Sequence, residues 1–295
     1  MRILGWNCRG ICNSSTVHAL RALIRGQNPM VVFLCETKAN EVCMKKVANL
    51  IGFLNFCAIR PRGRAGGICM FWAKELGVEL LEFNPNTIAV TIRYCTCSWS
   101  IIGFHGPPHK AKRRKAWVNL HGLLESIDGP WMCFGDFNVL IDESKKEGGK
   151  RGGSSIPSYL KELLFYLGPV NLGFARNKFT WSNKRWGRNS ICERLDRGIP
   201  NINWRLSFPK AAVYHLGAIN SDHCPILVDT NPDDAPLTRR FRFEVVWTKD
   251  PRCFEVINTA WSNEFGGSAC FNLFRKQFHT TKAIKKWNRD TFGFC

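Results

Sequence analysis

The chain has 295 residues, 45% of them apolar and 22% charged. That is the profile of a globular protein with a sizeable core, and it excludes a wholly disordered chain or a periodic fibre. Lys and Arg number 42 against 23 Asp and Glu, a formal net charge of +19, and an excess of that size points to a polyanionic partner, nucleic acid or an anionic membrane surface.

The first segments alternate strands and helices. Residues 3–6 read as a strand, and Val17, Leu20, Leu23 and Ile24 recur at helical spacing. Residues 30–35 form a continuous apolar run of strand length, buried on both faces. Four runs rich in β-formers follow, at 67–72, 78–83, 88–94 and 98–104. A second helix carries Trp117, Leu120, Leu123, Leu124 and Ile127 on one stripe, Gly129-Pro130 ends it, and residues 131–134 make another buried strand. Residues 144–155, with two Gly-Gly pairs and four basic residues, read as a mobile loop, and later strands are expected at 178–181, 190–195 and 225–228. Many strands with few helices point to an α/β protein of two packed sheets with helices outside.

Composition shifts after Thr230, where residues 231–236 mark a domain edge between a main domain, 1–230, and a tail, 231–295. The tail sets Trp247, Phe254, Phe274, Phe278, Ile284 and Trp287 among charges. It reads equally as helices docking on an absent partner and as helices packing on the main domain. The fourteen cysteines are too sparse for a disulfide scaffold, and no pair has the Cys-x-x-Cys spacing of a zinc site. No apolar run is long enough to span a membrane, and the amino terminus lacks a signal-peptide pattern, so the expected compartment is reducing, nucleus or cytoplasm rather than secreted.

Polar residues stand at the ends of the apolar strands: Asn7, Glu36, Asp136 and Asn138, Asp222 and His223. One such residue alone is usually a turn residue or a helix cap. Six of them define a site, because strand ends are where folds of this class place their chemistry. Carboxylates with Asn suit a hard cation such as Mg²⁺, and a His beside an Asp suits a phosphate contact or general acid/base work. Those are the parts of metal-assisted phosphodiester hydrolysis. Gly-x-Ser-x-Gly is absent, and residues 63–67 are not a phosphate-binding fingerprint.

Taken in order, Trp6-Asn7-Cys8-Arg9-Gly10, Cys35-Glu36-Thr37-Lys38, Gly135-Asp136-Phe137-Asn138, Phe179-Thr180-Trp181-Ser182, Arg194-Leu195-Asp196-Arg197 and Ser221-Asp222-His223-Cys224-Pro225 resemble the endonuclease/exonuclease/phosphatase superfamily. The nearest likeness is to the apurinic-type endonuclease domain of plant LINE (non-LTR) retrotransposons, across residues 1 to about 230. The tail, with Phe241-Arg242-Phe243-Glu244 and Lys286-Trp287-Asn288, is similar to the segment before a reverse transcriptase, which implies a partner surface of that type. The resemblance implies a four-layer α/β sandwich of DNase-I type, two packed mixed β-sheets flanked by helices. It implies that Glu36, Asn7 and Asp222 bind Mg²⁺ or Mn²⁺, that Asp136 takes a proton from the attacking water and that Asn138 orients that water or the phosphate. By the same likeness His223 contacts the scissile phosphate and is held by Asp196, while Thr180 supports the phosphate side. His105 departs from the pattern, because related domains carry Tyr there. An imidazole of ordinary pKa at that position would change charge between pH 6 and 8.

Three basic segments are the expected DNA-facing rim, contacting the phosphate backbone without reading sequence. They are Lys112, Arg113, Arg114 and Lys115 at a helix start, Lys150 and Arg151 in the glycine-rich loop with Lys145 and Lys146 before them, and Lys184, Arg185, Trp186 and Arg188, where charge interleaves with an aromatic. The leading reading is a Mg²⁺-dependent endonuclease that nicks DNA, without membrane attachment. The rivals are a phosphatase or phosphodiesterase of the same superfamily and a catalytically weakened nucleic-acid-binding relic.

Overall fold

Strand β1 (Arg2–Asn7) lies in the middle of a seven-stranded mixed sheet, parallel to β2 (Val31–Cys35) and antiparallel to β15 (Ile226–Asp229). Beyond β2 come β4 (Ile68–Trp72) and β3 (Asn55–Ile59), and beyond β15 come β14 (Ala212–His215) and β10 (Ala175–Arg176). A five-stranded sheet runs in the order β13 (Asp196–Pro200), β8 (Trp131–Asp136), β7 (Cys97–His105), β6 (Thr87–Tyr94) and β5 (Gly77–Asn84), with only β7 and β8 parallel. A small antiparallel sheet joins β11 (Trp181–Ser182), β12 (Cys192–Glu193) and β9 (Lys146–Glu147). This computed structural model describes residues 1–61, 63, 65–94, 97–141, 143–149, 172, 174–232 and 250–292, and the chain divides into two units, Met1–Asp233 and Asp234–Cys295.

The layers follow from side-chain alternation along strands buried on both faces. Ile3, Val31, Phe33, Ile68 and Met70 of the larger sheet pack against Ile88, Val90, Ile101, Met132 and Phe134 of the smaller one. Their neighbours Leu4, Trp6, Val32, Leu34 and Phe71 face the opposite way, onto α1 (Ser14–Gln27) and α2 (Glu41–Ile51). On the far side, Ala89, Ile102, Phe104 and Cys133 receive Trp117, Leu120, Leu123 and Leu124 of α3 (Lys110–Ser126). The result is a four-layer α/β sandwich. Phe33 and Phe134 meet between the sheets with ring centroids 5.6 Å apart, and truncating a ring buried in this way costs about 3–5 kcal/mol.

Several expectations need correction. Helix α2 and strand β3 lie where no element was anticipated, so the helix with the Trp117 stripe is the third in the chain. The sequence does carry the α2 signals: Asn40 caps it through its side chain, Gly52 ends it at φ +81°, and Met44, Val47, Ala48 and Ile51 form its buried stripe. Of the strand expected over 190–195 only Cys192–Glu193 (β12) is strand, in the small sheet, and the next strand, β13, begins at Asp196 in the five-stranded one. The Thr180 hydroxyl accepts from the amides of both Leu195 and Asp196 at 3.0 Å, at the point where the chain passes from the small sheet to the five-stranded one. In the loop expected over 144–155, Lys146 and Glu147 are strand β9, and residues 150–155 lie outside the described residues. Strand β14 and the short helix α4 (Ile202–Ser207) also went unforeseen.

The ends of the first unit meet. The Met1 amine donates to Thr230 Oγ1 at 2.9 Å, the Thr230 amide donates to the Met1 carbonyl at 2.9 Å, and Arg2 pairs with Asp229 at 2.8 Å. In the second unit, α5 (Pro251–Trp261), capped by Asp250, packs on α6 (Ala269–Phe292) through Cys253, Val256, Ile257, Ile284 and Trp287. No helix among the described residues is long and apolar enough to cross a membrane.

Candidate active site

Both large sheets end their central strands at one place. Asn7 closes β1, His105 closes β7, Asp136 closes β8 and Asp196 opens β13. Within the five-stranded sheet the register sets His105 and Asp196 on either side of Asp136. Glu36 follows β2 directly, at φ +51°, and Asn138 follows β8 at φ +52°, left-handed conformations uncommon for side chains of this kind and concentrated where function over-determines the backbone. Gly135, at φ +132°, runs so close to the Phe104 carbonyl that a Cβ would collide with it, and a Cβ on Gly106 would meet the Phe137 carbonyl. These two glycines let the ends of β7 and β8 close in around Asp136.

Asp136 is the buried centre. Its Oδ2 accepts from the Asn7 amide at 2.9 Å, across the gap between the sheets, and from the Asn138 amide at 3.1 Å, while Oδ1 accepts from the Asn138 backbone N–H at 2.9 Å. His223 Nε2 lies 3.7 Å from Asp136 and His105 Nε2 lies 4.0 Å from it. Burial alone would raise the Asp136 pKa, but the two imidazoles and the Asn7 and Asn138 bonds outweigh it and hold the carboxyl below its usual range.

His223 is held at its other nitrogen. Nδ1 donates to Asp196 Oδ2 at 3.0 Å, and the His223 backbone N–H donates to Ser221 Oγ, which in turn donates to the Asn7 carbonyl at 2.8 Å. Burial works against an imidazolium here, yet Asp196 and Asp136 push the His223 pKa up to about 9. Burial pushes Asp196 up to about 6, against the pull of His223. Thr180 is fully buried and its hydroxyl is bonded to Asp196, so it braces the carboxylate that orients His223.

On the open side stand Glu36 and Asp222, whose side chains are 15% and 19% exposed. Asp222 Oδ2 accepts from the Trp181 indole at 2.8 Å. Between the two carboxylates lies Arg9, with Nε 3.0 Å from Asp222 Oδ1 and 3.7 Å from Glu36 Oε2, while its backbone N–H donates to Asn7 Oδ1 at 3.3 Å. Lys38 reaches Glu36 at 3.7 Å and His105 reaches it at 3.8 Å.

The nine residues singled out in the sequence, Asn7, Glu36, His105, Asp136, Asn138, Thr180, Asp196, Asp222 and His223, thus form one contact network. Asp222 joins Glu36 through Arg9 rather than directly. Among the described residues, Cys35, His105 and Asp136, and likewise Asp136, Asp196 and His223, bring ligand atoms within 4.8 Å of one another. Asn7, Glu36 and Asp222 offer oxygen donors that fit a hard cation. Sequence reasoning passed over Arg9, Lys38, Trp181 and Ser221, although each sits inside a quoted motif.

The expectation for His105 is corrected in one respect. Its side chain is 6% exposed, and burial lowers its pKa, only partly opposed by Asp136 and Glu36. Burial therefore favours its neutral form more than in an ordinary imidazole.

The basic segments differ in what they present. Lys112, Arg114 and Lys115 are exposed, but Arg113 donates to the Pro107 and Pro108 carbonyls at 3.1 and 2.9 Å and so braces the turn after β7. Lys146 pairs with Glu193 at 3.4 Å. Lys150 and Arg151 lie outside the described residues. Lys184, Arg185, Trp186 and Arg188 are exposed, Trp186 at 94%. Their loop is closed at its base by Asn183, which accepts from Arg185 and Ile191 and donates to the Asn189 carbonyl. It springs from β11, whose Trp181 pairs with His223.

No curated protein sequence matches the chain, whereas solved structures resemble it in fold. The endonuclease domain of TRAS1, a telomere-specific non-LTR retrotransposon, is 14% identical, covering 77% of this chain and 97% of that one, with a TM-score of 0.56. The AP endonuclease LMAP from Leishmania major is 15% identical over 77% of this chain and 86% of its own, TM-score 0.62. The 3′ phosphatase NExo from Neisseria, solved with a product DNA hairpin, is 14% identical over 78% and 98%, TM-score 0.60. Identities this low carry the fold and nothing finer. Residues 4–223 match the Endonuclease/Exonuclease/phosphatase family, a match that spans most of the chain and contains every residue of the network around Asp136. The chain belongs to that family, one of hydrolytic nucleases and phosphatases.

Proposed function

We propose that the protein is a divalent-metal-dependent endonuclease that nicks DNA, derived from a non-LTR retrotransposon of the LINE type found in plants. The observation that carries the reading is the chain Asp136–His223–Asp196 beside the oxygen donors Glu36 and Asp222. It sets a buried carboxylate, a cationic imidazole and a hard-cation donor set around one opening, the combination that phosphodiester hydrolysis needs. Asp136, kept ionised, accepts the proton of the attacking water. Asn138, bonded to Asp136, positions that water or a phosphate oxygen. His223, cationic and fixed by Asp196, faces the phosphate and steadies charge that develops on it. Thr180 acts through Asp196. His105 fills the place of a hydroxyl donor with an imidazole whose burial favours the neutral form, which offers one N–H.

Glu36, Asp222 and Asn7 would hold Mg²⁺, with Mn²⁺ able to serve, and the ion supplies charge neutralisation at the phosphate. The net charge of +19 and the exposed loop of Lys184, Arg185, Trp186 and Arg188 favour DNA over a small phosphate ester, with the exposed Lys112, Arg114 and Lys115 adding positive charge. A DNA substrate assigns the work to the nucleus or cytoplasm. We read residues 1–230 as the nuclease and 231–295 as a tail for a reverse-transcriptase-type partner.

The test is conversion of supercoiled plasmid to nicked circles by the full chain. Nicking with Mg²⁺, lost in EDTA and in Glu36→Gln, with no phosphate released from an inositol polyphosphate, is the expected result. Phosphate release from the inositol substrate without nicking would replace the nuclease reading by a phosphatase. Inactivity on both, with DNA still bound, would favour the relic.

A further inference from the structure

Arg9 is the residue of the Trp6–Gly10 motif that the chemistry above leaves without a role. Its backbone lies in the left-handed region at φ +52°, immediately after the end of β1, so its side chain crosses the opening of the site. Each of the three oxygen-donor residues meets it: Asp222 Oδ1 at 3.0 Å and Glu36 Oε2 at 3.7 Å from Nε, and Asn7 Oδ1 at 3.3 Å from the backbone N–H. The other Asp222 oxygen accepts from the Trp181 indole at 2.8 Å, and Arg9 is the nearer partner of Oδ1, which Ser221 Oγ reaches only at 3.5 Å. The Arg9 side chain is 46% exposed, against 15% for Glu36, so the guanidinium can leave toward solvent while the carboxylates cannot.

We propose that Arg9 is a resident counter-cation that competes with the divalent ion for Glu36 and Asp222. With no ion bound, it offsets the repulsion between two half-buried carboxylates. When an ion binds, the guanidinium gives up those oxygens and turns outward, where its planar fork meets an arriving phosphate. Metal affinity is then lower than the oxygen donors alone would give, and it is set by a residue at the mouth. This inference rests on the reading of Glu36 and Asp222 as ligands.

The experiment is calorimetric titration of the full chain with Mn²⁺, without DNA, for wild type, Arg9→Met, Arg9→Gln and Glu36→Gln. Removing a competing pair of this exposure should tighten Mn²⁺ binding by about three- to tenfold in both Arg9 variants. The melting temperature adds a readout that a purely structural ion pair would not move in the same way. Without metal the Arg9 variants should melt below wild type, and saturating Mn²⁺ should close that gap. Equal or weaker binding in both Arg9 variants, or a gap that persists at saturation, overturns the role given to Arg9. Unchanged Mn²⁺ binding in Glu36→Gln would instead overturn the ligand assignment beneath it.

Discussion

Nδ1 of His223 lies 3.0 Å from Oδ2 of Asp196, and the two residues come from the strand leading away from the site and the loop leading into β15. The bond fixes which imidazole nitrogen faces Asp136, and Asp196 is in turn fixed by Thr180. Asp196→Asn keeps the shape and removes the charge that sustains the imidazolium. Nicking should fall by about 10²-fold or more, with the circular-dichroism spectrum unchanged. Thr180→Val should lower it by less, since it touches His223 only through Asp196. Plasmid nicking rates for the two variants check both the direction and the order.

His105 carries a prediction of parallel behaviour. Because burial lowers its pKa below that of an ordinary imidazole, wild type and His105→Tyr should give nicking profiles of the same shape between pH 7 and 8, displaced by a constant factor. A ratio of rates that changes more than about threefold across that window would mean that His105 titrates there after all.

Away from the site, His215 links stability to acid. It stacks on Phe174 with ring centroids 4.8 Å apart, and its Nδ1 lies 2.7 Å from the Asn177 carbonyl. Burial takes its pKa from 6.5 down to about 4. The folded value lies below the unfolded one, so its contribution is complete above pH 6.5 and is lost as pH falls through 4. The difference is worth about 3 kcal/mol. Urea unfolding at pH 7 and pH 4.5 should show this loss in wild type, and His215→Phe should show a smaller drop between the two conditions.

Trp186 and its neighbours separate stacking from charge. With 94% of its surface exposed, Trp186 can be removed without cost to the fold, and Trp186→Ala should weaken DNA binding by about 1–3 kcal/mol at every salt concentration. Arg185→Ala and Arg188→Ala should instead each lower the slope of log affinity against log salt by about one. Binding isotherms at several salt concentrations distinguish the two patterns.

The layers and the polar strand ends were legible because both obey short-range rules. Apolar alternation predicts what a strand buries, and a lone Asp after Trp131-Met132-Cys133-Phe134-Gly135 can be read without knowing its neighbours. Helix α2 was equally legible in Asn40, Gly52 and the stripe between them, and was passed over. What could not be read was pairing at long range. Nothing local tells Thr180 to take the amides of Leu195 and Asp196, so the 190–195 run looked like one strand. At shorter range, the charge run does not reveal that Arg113 turns back to the Pro107 and Pro108 carbonyls and so presents less of itself to solvent than Arg114. His105 was visible as a residue but not as a buried one, and burial decides its charge.

Met1 and Thr230 hold one another at the end of β1 opposite Asn7, and six residues of strand set that pole about 20 Å from the site. A group grafted at Met1 therefore starts at the pole of the first unit opposite the network around Asp136. The same closeness makes the unit a natural subject for circular permutation. A short linker from Thr230 to Met1 would preserve the β1–β15 pairing, and new ends could be opened at the exposed Lys74–Glu75 step between β4 and β5, beyond the end of β4 remote from Glu36. A chain permuted in this way would carry an added targeting module from a different point of the first unit.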